Sequence, residues 1–285
     1  MPDSPADALS ADELSPGPRL AFLRGGAHAL PDFLLVGAQK SGTTSLFATL
    51  AQHPSVLPPA AKEIFYFDRR YARGPRWYRC WFPTRRALDR VRDRTGRAVT
   101  GEASTSYLDH PAVPARVART LPDVRIVAVL RDPAERALSH YFHNRRKGRE
   151  PLDLLGAFRA EPDRLAGERE RALADPSHDS RALMHFAYLS RGHYAEHLAR
   201  WREHVAPERL LVLRSDDLFA DPEPVLAQTV EFLGLAPWRP QAFRVLNAGA
   251  NKREVPDEVR RFLADHFASY NARLGAMLGP AFDWR

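Results

Sequence analysis

The sequence predicts a three-layer α/β domain, with a mostly parallel central sheet and helices on both faces. Strand-like runs lie near residues 33–37, 98–101, 124–130 and 209–213, and segments with helical apolar spacing alternate with them. The turns after the first and third runs also carry residue types that open helices, as a parallel sheet requires. At 285 residues and 44% hydrophobic content the chain can bury a full core, and its length suits one domain over residues 31–285. Residues 1–30, rich in proline and glycine and weak in apolar periodicity, read as a mobile arm.

Composition narrows the function. A formal charge of +7, from 42 basic against 35 acidic residues, favours anionic ligands, nucleic acid still among them. No apolar run reaches the ~18–20 residues of a membrane span, and the acidic start Met1–Leu14 is unlike an export signal, so no membrane partner is expected. Cys80 is the sole cysteine, which excludes an internal disulfide and points to a cytoplasmic setting. The lysines number four, Lys40, Lys62, Lys147 and Lys252, in a chain that otherwise uses arginine, so each is a marked choice of a compact charge.

The first strand, Phe33-Leu34-Leu35-Val36-Gly37, is apolar throughout and suits burial on both faces. Gly37 and Gly42 bound a tight loop, and Ser41, Thr43, Thr44 and Ser45 crowd the start of a helix running to about Gln52, where His53-Pro54 ends it. Unpaired N–H groups and the positive end of the helix dipole make such a corner an anion cradle. The spacing resembles the phosphate-binding loop G-x-x-x-x-G-K-[ST], which makes the predicted fold P-loop NTPase-like, but Thr43 stands where lysine belongs and the lysine comes earlier, at Lys40. A strand-turn-helix corner that merely needs glycines is the plainer reading.

Further on, Glu63 is the one carboxylate between Lys62 and the aromatic run Phe65-Tyr66-Phe67. Aromatic neighbours would desolvate it and raise its proton affinity, as a general base for a hydroxyl requires; a surface glutamate paired with Lys62 is the alternative. After the strand at 124–130, Asp132 is a natural N-cap and Pro133 a natural first helical residue. Arg131 then falls at the carboxyl end of a parallel strand, with Ser139 about two turns along the helix; a fork and a hydroxyl suit a phosphate dianion, unless Arg131 and Asp132 are simply a structural pair.

Together, Val36-Gly37-Ala38-Gln39-Lys40-Ser41-Gly42-Thr43-Thr44 and Lys62-Glu63-Ile64-Phe65-Tyr66-Phe67-Asp68 resemble the sulfotransferases that use 3′-phosphoadenosine 5′-phosphosulfate (PAPS), nearest the heparan-sulfate 3-O- and N-sulfotransferase branch. The resemblance covers roughly residues 32–285 and implies PAPS as sulfuryl donor. It places the 5′-phosphosulfate against Gln39, Lys40, Ser41, Gly42, Thr43, Thr44 and Ser45, with Lys40 meeting the leaving phosphate and Glu63 as the base. Arg131 and Ser139 would grip the 3′-phosphate. Arg191 and Tyr194, in Arg191-Gly192-His193-Tyr194, match an R-G-x-Y helix near the cofactor, and Lys252 and Arg253 lie where the family closes over it, although in a different order. Ala103 stands where heparan enzymes carry lysine, which sets a heparan-like acceptor in question. A saccharide or other small molecule, acidic or not, is the expected acceptor.

Other readings remain. A nucleoside or metabolite kinase would use the same loop with Mg²⁺. The arginine-dense stretch 69–97, with Trp77, Trp81 and Phe82 interleaved, fits a nucleic-acid or acidic-acceptor surface as well as a solvated loop. His193 and His197, with His185, could bind a metal, but PAPS chemistry needs none and no metal is expected. The charged stretch 145–180 reads as an insertion over the site.

Overall fold

The computed structural model describes residues 27–246 and 255–284. Four strands, β1 (Phe33–Gly37), β2 (Gly101–Ala103), β3 (Arg125–Leu130) and β4 (Leu210–Arg214), form one sheet in the order β2-β1-β3-β4. All three pairings are parallel. The longer helices are α1 (Thr43–Leu50), α2 (Arg85–Thr95), α3 (Val113–Thr120), α4 (Pro133–Arg146), α5 (Tyr194–Arg202), α6 (Pro222–Phe232) and α7 (Asp257–Leu278).

Strand alternation divides the core into two layers. Leu34, Val36, Ile126, Ala128 and Leu130 pack with Val113 and Val117 of α3, Leu198 and Trp201 of α5 and Leu274 of α7. Phe33, Leu35, Val127 and Val129 face the other way, onto Leu46 and Phe47 of α1 and Leu226 and Val230 of α6. Both faces of β1 and β3 are therefore dry, which is why their sequences are continuous apolar runs. The result is the predicted P-loop-like α/β architecture, with every described strand parallel.

Local sequence explains the boundaries. Asp132 caps α4 as expected, its carboxylate accepting from the N–H groups of Ala134 at 2.7 Å and Glu135 at 3.2 Å. The second strand begins later than its predicted span of 98–101. Val99 is taken up by a separate parallel bridge to Val56, and Thr100 N–H by the Asp32 carboxylate at 2.8 Å, leaving Gly101–Ala103 to pair with β1. Gly101 allows that pairing: a β-carbon there would meet the Phe33 ring at 2.5 Å.

The predicted arm over 1–30 lies outside the described residues except for 27–30. These are docked: Ala29 N–H donates to the Pro83 carbonyl at 2.9 Å and His28 Nδ1 lies 2.6 Å from the Phe82 carbonyl. The insertion at 145–180 folds into short helices, Leu154–Arg159, Glu161–Leu165 and Glu168–Ala174, and Phe158 sits in a third apolar cluster with α4 and α7. The arginine-rich stretch contains a helix, α2, which buries Leu88 and Val91 and exposes most of its arginines. Trp81 and Phe82 are core residues at 5% and 3% exposure, so the interleaved aromatics do not form the open stacking surface of the nucleic-acid reading.

Candidate active site

The site lies at the carboxyl ends of β1, β2 and β3, where open parallel sheets bind ligands. α1 starts behind Gly42, whose backbone is left-handed at φ 91° and whose added β-carbon would strike the Phe219 ring at 2.8 Å, so glycine is required twice over. No side chain caps this helix and no acid occupies its first turn, which leaves its leading N–H groups and the positive dipole end to an anion. The Ser41 hydroxyl is fully buried and has no hydrogen-bond partner among the described residues. An orphaned donor beside uncapped N–H groups fits a phosphate or phosphosulfate group.

The second half is the turn carrying Lys62 and Glu63. Glu63 and Phe65 both have left-handed backbone, φ 61° and 53°, and Glu63 N–H donates to the Ala103 carbonyl at 3.0 Å. Because β2 lies beside β1, this turn comes to rest over the start of α1: Lys62 Nζ donates to Thr44 Oγ1 at 2.9 Å and stands 3.6 Å from Glu63 Oε1. Thr105 Oγ1 is 3.4 Å from the same carboxylate oxygen.

One expectation is corrected here. The aromatic run does not enclose Glu63. The two left-handed residues turn Tyr66 and Phe67 into the core, 1% and 0% exposed, whereas the Glu63 side chain remains 36% exposed beside Lys62. The pairing with Lys62, first considered only as the alternative to catalysis, therefore exists, and it sits at the mouth of the anion cradle.

The remaining predicted residues sort as follows. Gln39 and Arg191 meet, Arg191 Nη1 donating to Gln39 Oε1 at 2.8 Å, while Arg191 Nε reaches Asp109 at 3.2 Å; Arg191 is thus a buried brace of the loop. Arg131 is half-buried just past β3, with Nη1 3.4 Å from the Lys40 carbonyl and Nη2 3.4 Å from Glu135. Ser139 lies one turn beyond Glu135 on α4, partly exposed. Tyr194 is buried near Arg131 and Asp132, and burial pushes its hydroxyl up to about 12. Thr43 is buried, and the buried Ser45 hydroxyl accepts from Leu246 N–H at 2.9 Å, which leaves its own proton to donate. Lys252 and Arg253 lie outside the described residues.

The histidines do not converge. His193 stacks on Tyr270 at 3.7 Å and meets His266, and His197 Nε2 lies 2.9 Å from the Ser190 carbonyl. Among the described residues no group of three or more His, Cys, Asp and Glu is placed to hold a metal ion.

Sequence reasoning missed three groups. Lys62 reaches the loop, a role its scarcity hinted at but its position in the chain could not show. Burial raises Asp68 to about 6, although Ser106 Oγ donates to it at 2.5 Å, and pushes Glu102, deep in β2, up to about 8. A lone carboxylate inside a strand is the signal that could have revealed Glu102.

A parallel sheet with an uncapped, glycine-opened helix, a lysine inside the loop and a carboxylate at its mouth defines an anion-binding cleft of the α/β class. Residues 30–246, more than half of the chain, match the family described as the sulfotransferase domain. The human bifunctional heparan sulfate N-deacetylase/N-sulfotransferases 3 and 2 are 35% and 31% identical to it over 73% and 87% of this chain. The chain spans only 23% and 29% of their lengths. Human heparan sulfate glucosamine 3-O-sulfotransferase 3B1 is 29% identical over 95% of this chain and 69% of its own. A sulfotransferase crystal structure from Alicyclobacillus acidocaldarius superposes with a TM-score of 0.65 at 29% identity, covering 89% of this chain and 99% of that one. The chain belongs to the sulfotransferase-domain family, and that family implies sulfuryl transfer with PAPS as donor.

Proposed function

We propose that the protein moves the sulfuryl group of PAPS to a hydroxyl of a saccharide or similar small molecule, with Glu63 as the base. The observation that carries this assignment is the Lys62–Thr44 hydrogen bond, which holds the Glu63 turn against the anion cradle. Bound there, PAPS would supply an activated sulfur whose bond to the 5′-phosphate oxygen breaks as the acceptor oxygen attacks. Glu63 accepts the acceptor's proton and is exposed enough to meet a substrate from outside. The N–H groups of α1, Lys40 and the Ser41 hydroxyl hold the phosphate, and Lys40 and Lys62 balance the charge that collects on it. Arg131 and Ser139 are assigned to the 3′-phosphate, and Arg191 keeps Gln39 in place.

The saccharide class rests on the relatives named for heparan sulfate and its glucosamine. Ala103 is completely buried in β2, so this chain places no lysine side chain at that point of the cleft, and the acceptor need not be heparan. The lone cysteine supports a reducing compartment, the cytoplasm in our reading. Among the described residues no helix is long and apolar enough to cross a membrane.

The test is incubation with PAPS and a library of saccharide, glycopeptide and phenol acceptors, read by mass spectrometry for addition of one sulfuryl group. Glu63→Gln keeps the size of the side chain but cannot take the proton, so its turnover should fall about 10²–10⁴-fold with the affinity for 3′-phosphoadenosine 5′-phosphate (PAP) retained. Near-normal turnover of that variant would remove Glu63 from the mechanism.

A further inference from the structure

Glu102 has no part in the contacts described so far, yet it is fully buried at the centre of β2. Its carboxyl lies 2.9 Å from the Tyr78 hydroxyl and 3.5 Å from Ser104 Oγ, and Tyr107 is buried beside it. Ser104 and Tyr107 are the side chains that hold the Glu63 turn. Phe65 N–H donates to Ser104 Oγ at 3.3 Å, and the N–H groups of Tyr66 and Phe67 donate to the Tyr107 hydroxyl at 2.8 and 3.3 Å.

A hydroxyl carries one proton and two lone pairs. It can turn its lone pairs to backbone N–H groups only when its proton points elsewhere, and Glu102, 3.5 Å from Ser104 Oγ, is a buried acceptor within reach. The turn needs such restraint. Left-handed backbone at the non-glycine residues Glu63 and Phe65 is strained and persists only where its surroundings fix it. Released, the turn would relax toward ordinary angles and swing the Glu63 carboxylate from the cradle.

We propose that Glu102 is a positioning residue for sulfuryl transfer: its carboxyl gives its one proton to Tyr78 and keeps acceptor oxygen for Ser104 and Tyr107, which aims their lone pairs at residues 65–67 and so fixes the Glu63 turn. This rests on the assignment of Glu63 as base. Glu102 touches neither the loop nor Arg131, so its influence should fall on turnover and not on donor binding. Tyr78 provides the internal contrast, since its hydroxyl reaches Glu102 but no N–H of the turn.

The experiment is steady-state kinetics with PAPS and an acceptor found in the library, with PAP calorimetry, on Glu102→Gln, Tyr107→Phe, their double variant, Tyr78→Phe, Ser104→Ala and Glu63→Gln. A glutamine amide carries two donor hydrogens where the carboxyl carries one, which sends at least one hydroxyl proton back toward the turn. Glu102→Gln should lower kcat about 10–100-fold, the scale of a displacement near 1 Å at a reacting group, with PAP affinity within about twofold of wild type. Tyr107→Phe should lose a similar factor and the double variant no more than the worse single, because both act through one set of bonds. Tyr78→Phe should keep kcat within about threefold.

Normal kcat in Glu102→Gln beside an inactive Glu63→Gln would overturn the inference, as would equal losses in Tyr78→Phe and Tyr107→Phe, or kcat and PAP affinity falling together. Should Glu102→Gln fail to fold, Ser104→Ala and Tyr107→Phe carry the same test, and normal kcat in both would overturn it. Near-normal turnover of Glu63→Gln would instead overturn the assignment of the base.

Discussion

Replacing Arg131 with alanine tests whether the carboxyl end of β3 reads the 3′-phosphate that distinguishes PAPS from adenosine 5′-phosphosulfate. In the free protein Arg131 makes two contacts at the outer limit of hydrogen bonding, 3.4 Å to the Lys40 carbonyl and 3.4 Å to Glu135, and Glu135 is 47% exposed. Such a pair contributes about 0.5 kcal/mol or less to the fold, so the melting temperature should move by no more than about 2 °C. Against a phosphate the same side chain makes charge-assisted bonds of about 1.5–3 kcal/mol each. One such bond, net of the contacts given up, corresponds to roughly a 10- to 100-fold weaker Kd for PAP and PAPS, and adenosine 5′-phosphosulfate should bind almost as before. The assay is calorimetry of both nucleotides on wild type and variant, with a thermal melt of each. Equal losses for the two nucleotides would refute the reasoning and make Arg131 a support of the loop through Lys40.

Lys62→Ala removes the bond to Thr44 and the partner of Glu63, both partly exposed; it should lower turnover about 10–100-fold while changing stability by less than about 1 kcal/mol, and a variant with full turnover in the same sulfuryl-transfer assay would show that the bridge is incidental. Stability should peak at about pH 7: burial lowers His110 and His193 to about 3, His185 to about 4 and holds His140 and His197 well below the usual range, so protons taken up only by the unfolded chain erode stability as pH falls below that point, outweighing the opposite effect of Asp68 and Glu102 there. Above that pH Glu102 keeps a proton up to about 8 that the unfolded chain has lost, so stability should decline by at most about 1.4 kcal/mol per pH unit; denaturant titrations at about pH 5, 7 and 9 check this, and stability still rising between the last two would contradict it.

The fold was legible where one residue type has one physical use. Continuous apolar runs mark β1 and β3 because both sheet faces are covered, Gly42 marks the loop because no other residue fits its angles or the space beside Phe219, and Asp132-Pro133 marks the start of α4. Legibility failed where the third dimension decides. No propensity places left-handed backbone at Glu63 and Phe65, yet those two residues determine that the aromatic run feeds the core and leaves Glu63 in the cleft. Lys62 is 18 residues from Thr44, and only the adjacency of β2 and β1 joins them. The insertion was unreadable for the same reason: it ends in Asp179, whose carboxylate takes Arg69 in two bonds of 2.6 and 2.7 Å, a contact across 110 residues.

Left-handed backbone at non-glycine residues occurs among the described residues at Lys40, Glu63 and Phe65, and at no position far from the cleft. Each such residue costs stability that the surroundings must offset, and the two sides of the cleft do so with different groups. On the donor side the Lys40 carbonyl accepts from Arg131, and Gln39, next in the chain, is held by Arg191. On the base side Ala103, Ser104 and Tyr107 receive the N–H groups of Glu63 and residues 65–67. Lys62 to Thr44 joins the two. A phosphate drawing on Arg131 would therefore be felt at Lys40 through its carbonyl, within the same loop that holds the leaving group, whereas the Glu63 turn would register it only through Lys62. That division predicts separate failures: substitutions of Arg131 and Arg191 should act first on nucleotide affinity, those beneath the turn on turnover, and those of Lys40 and Lys62 on both.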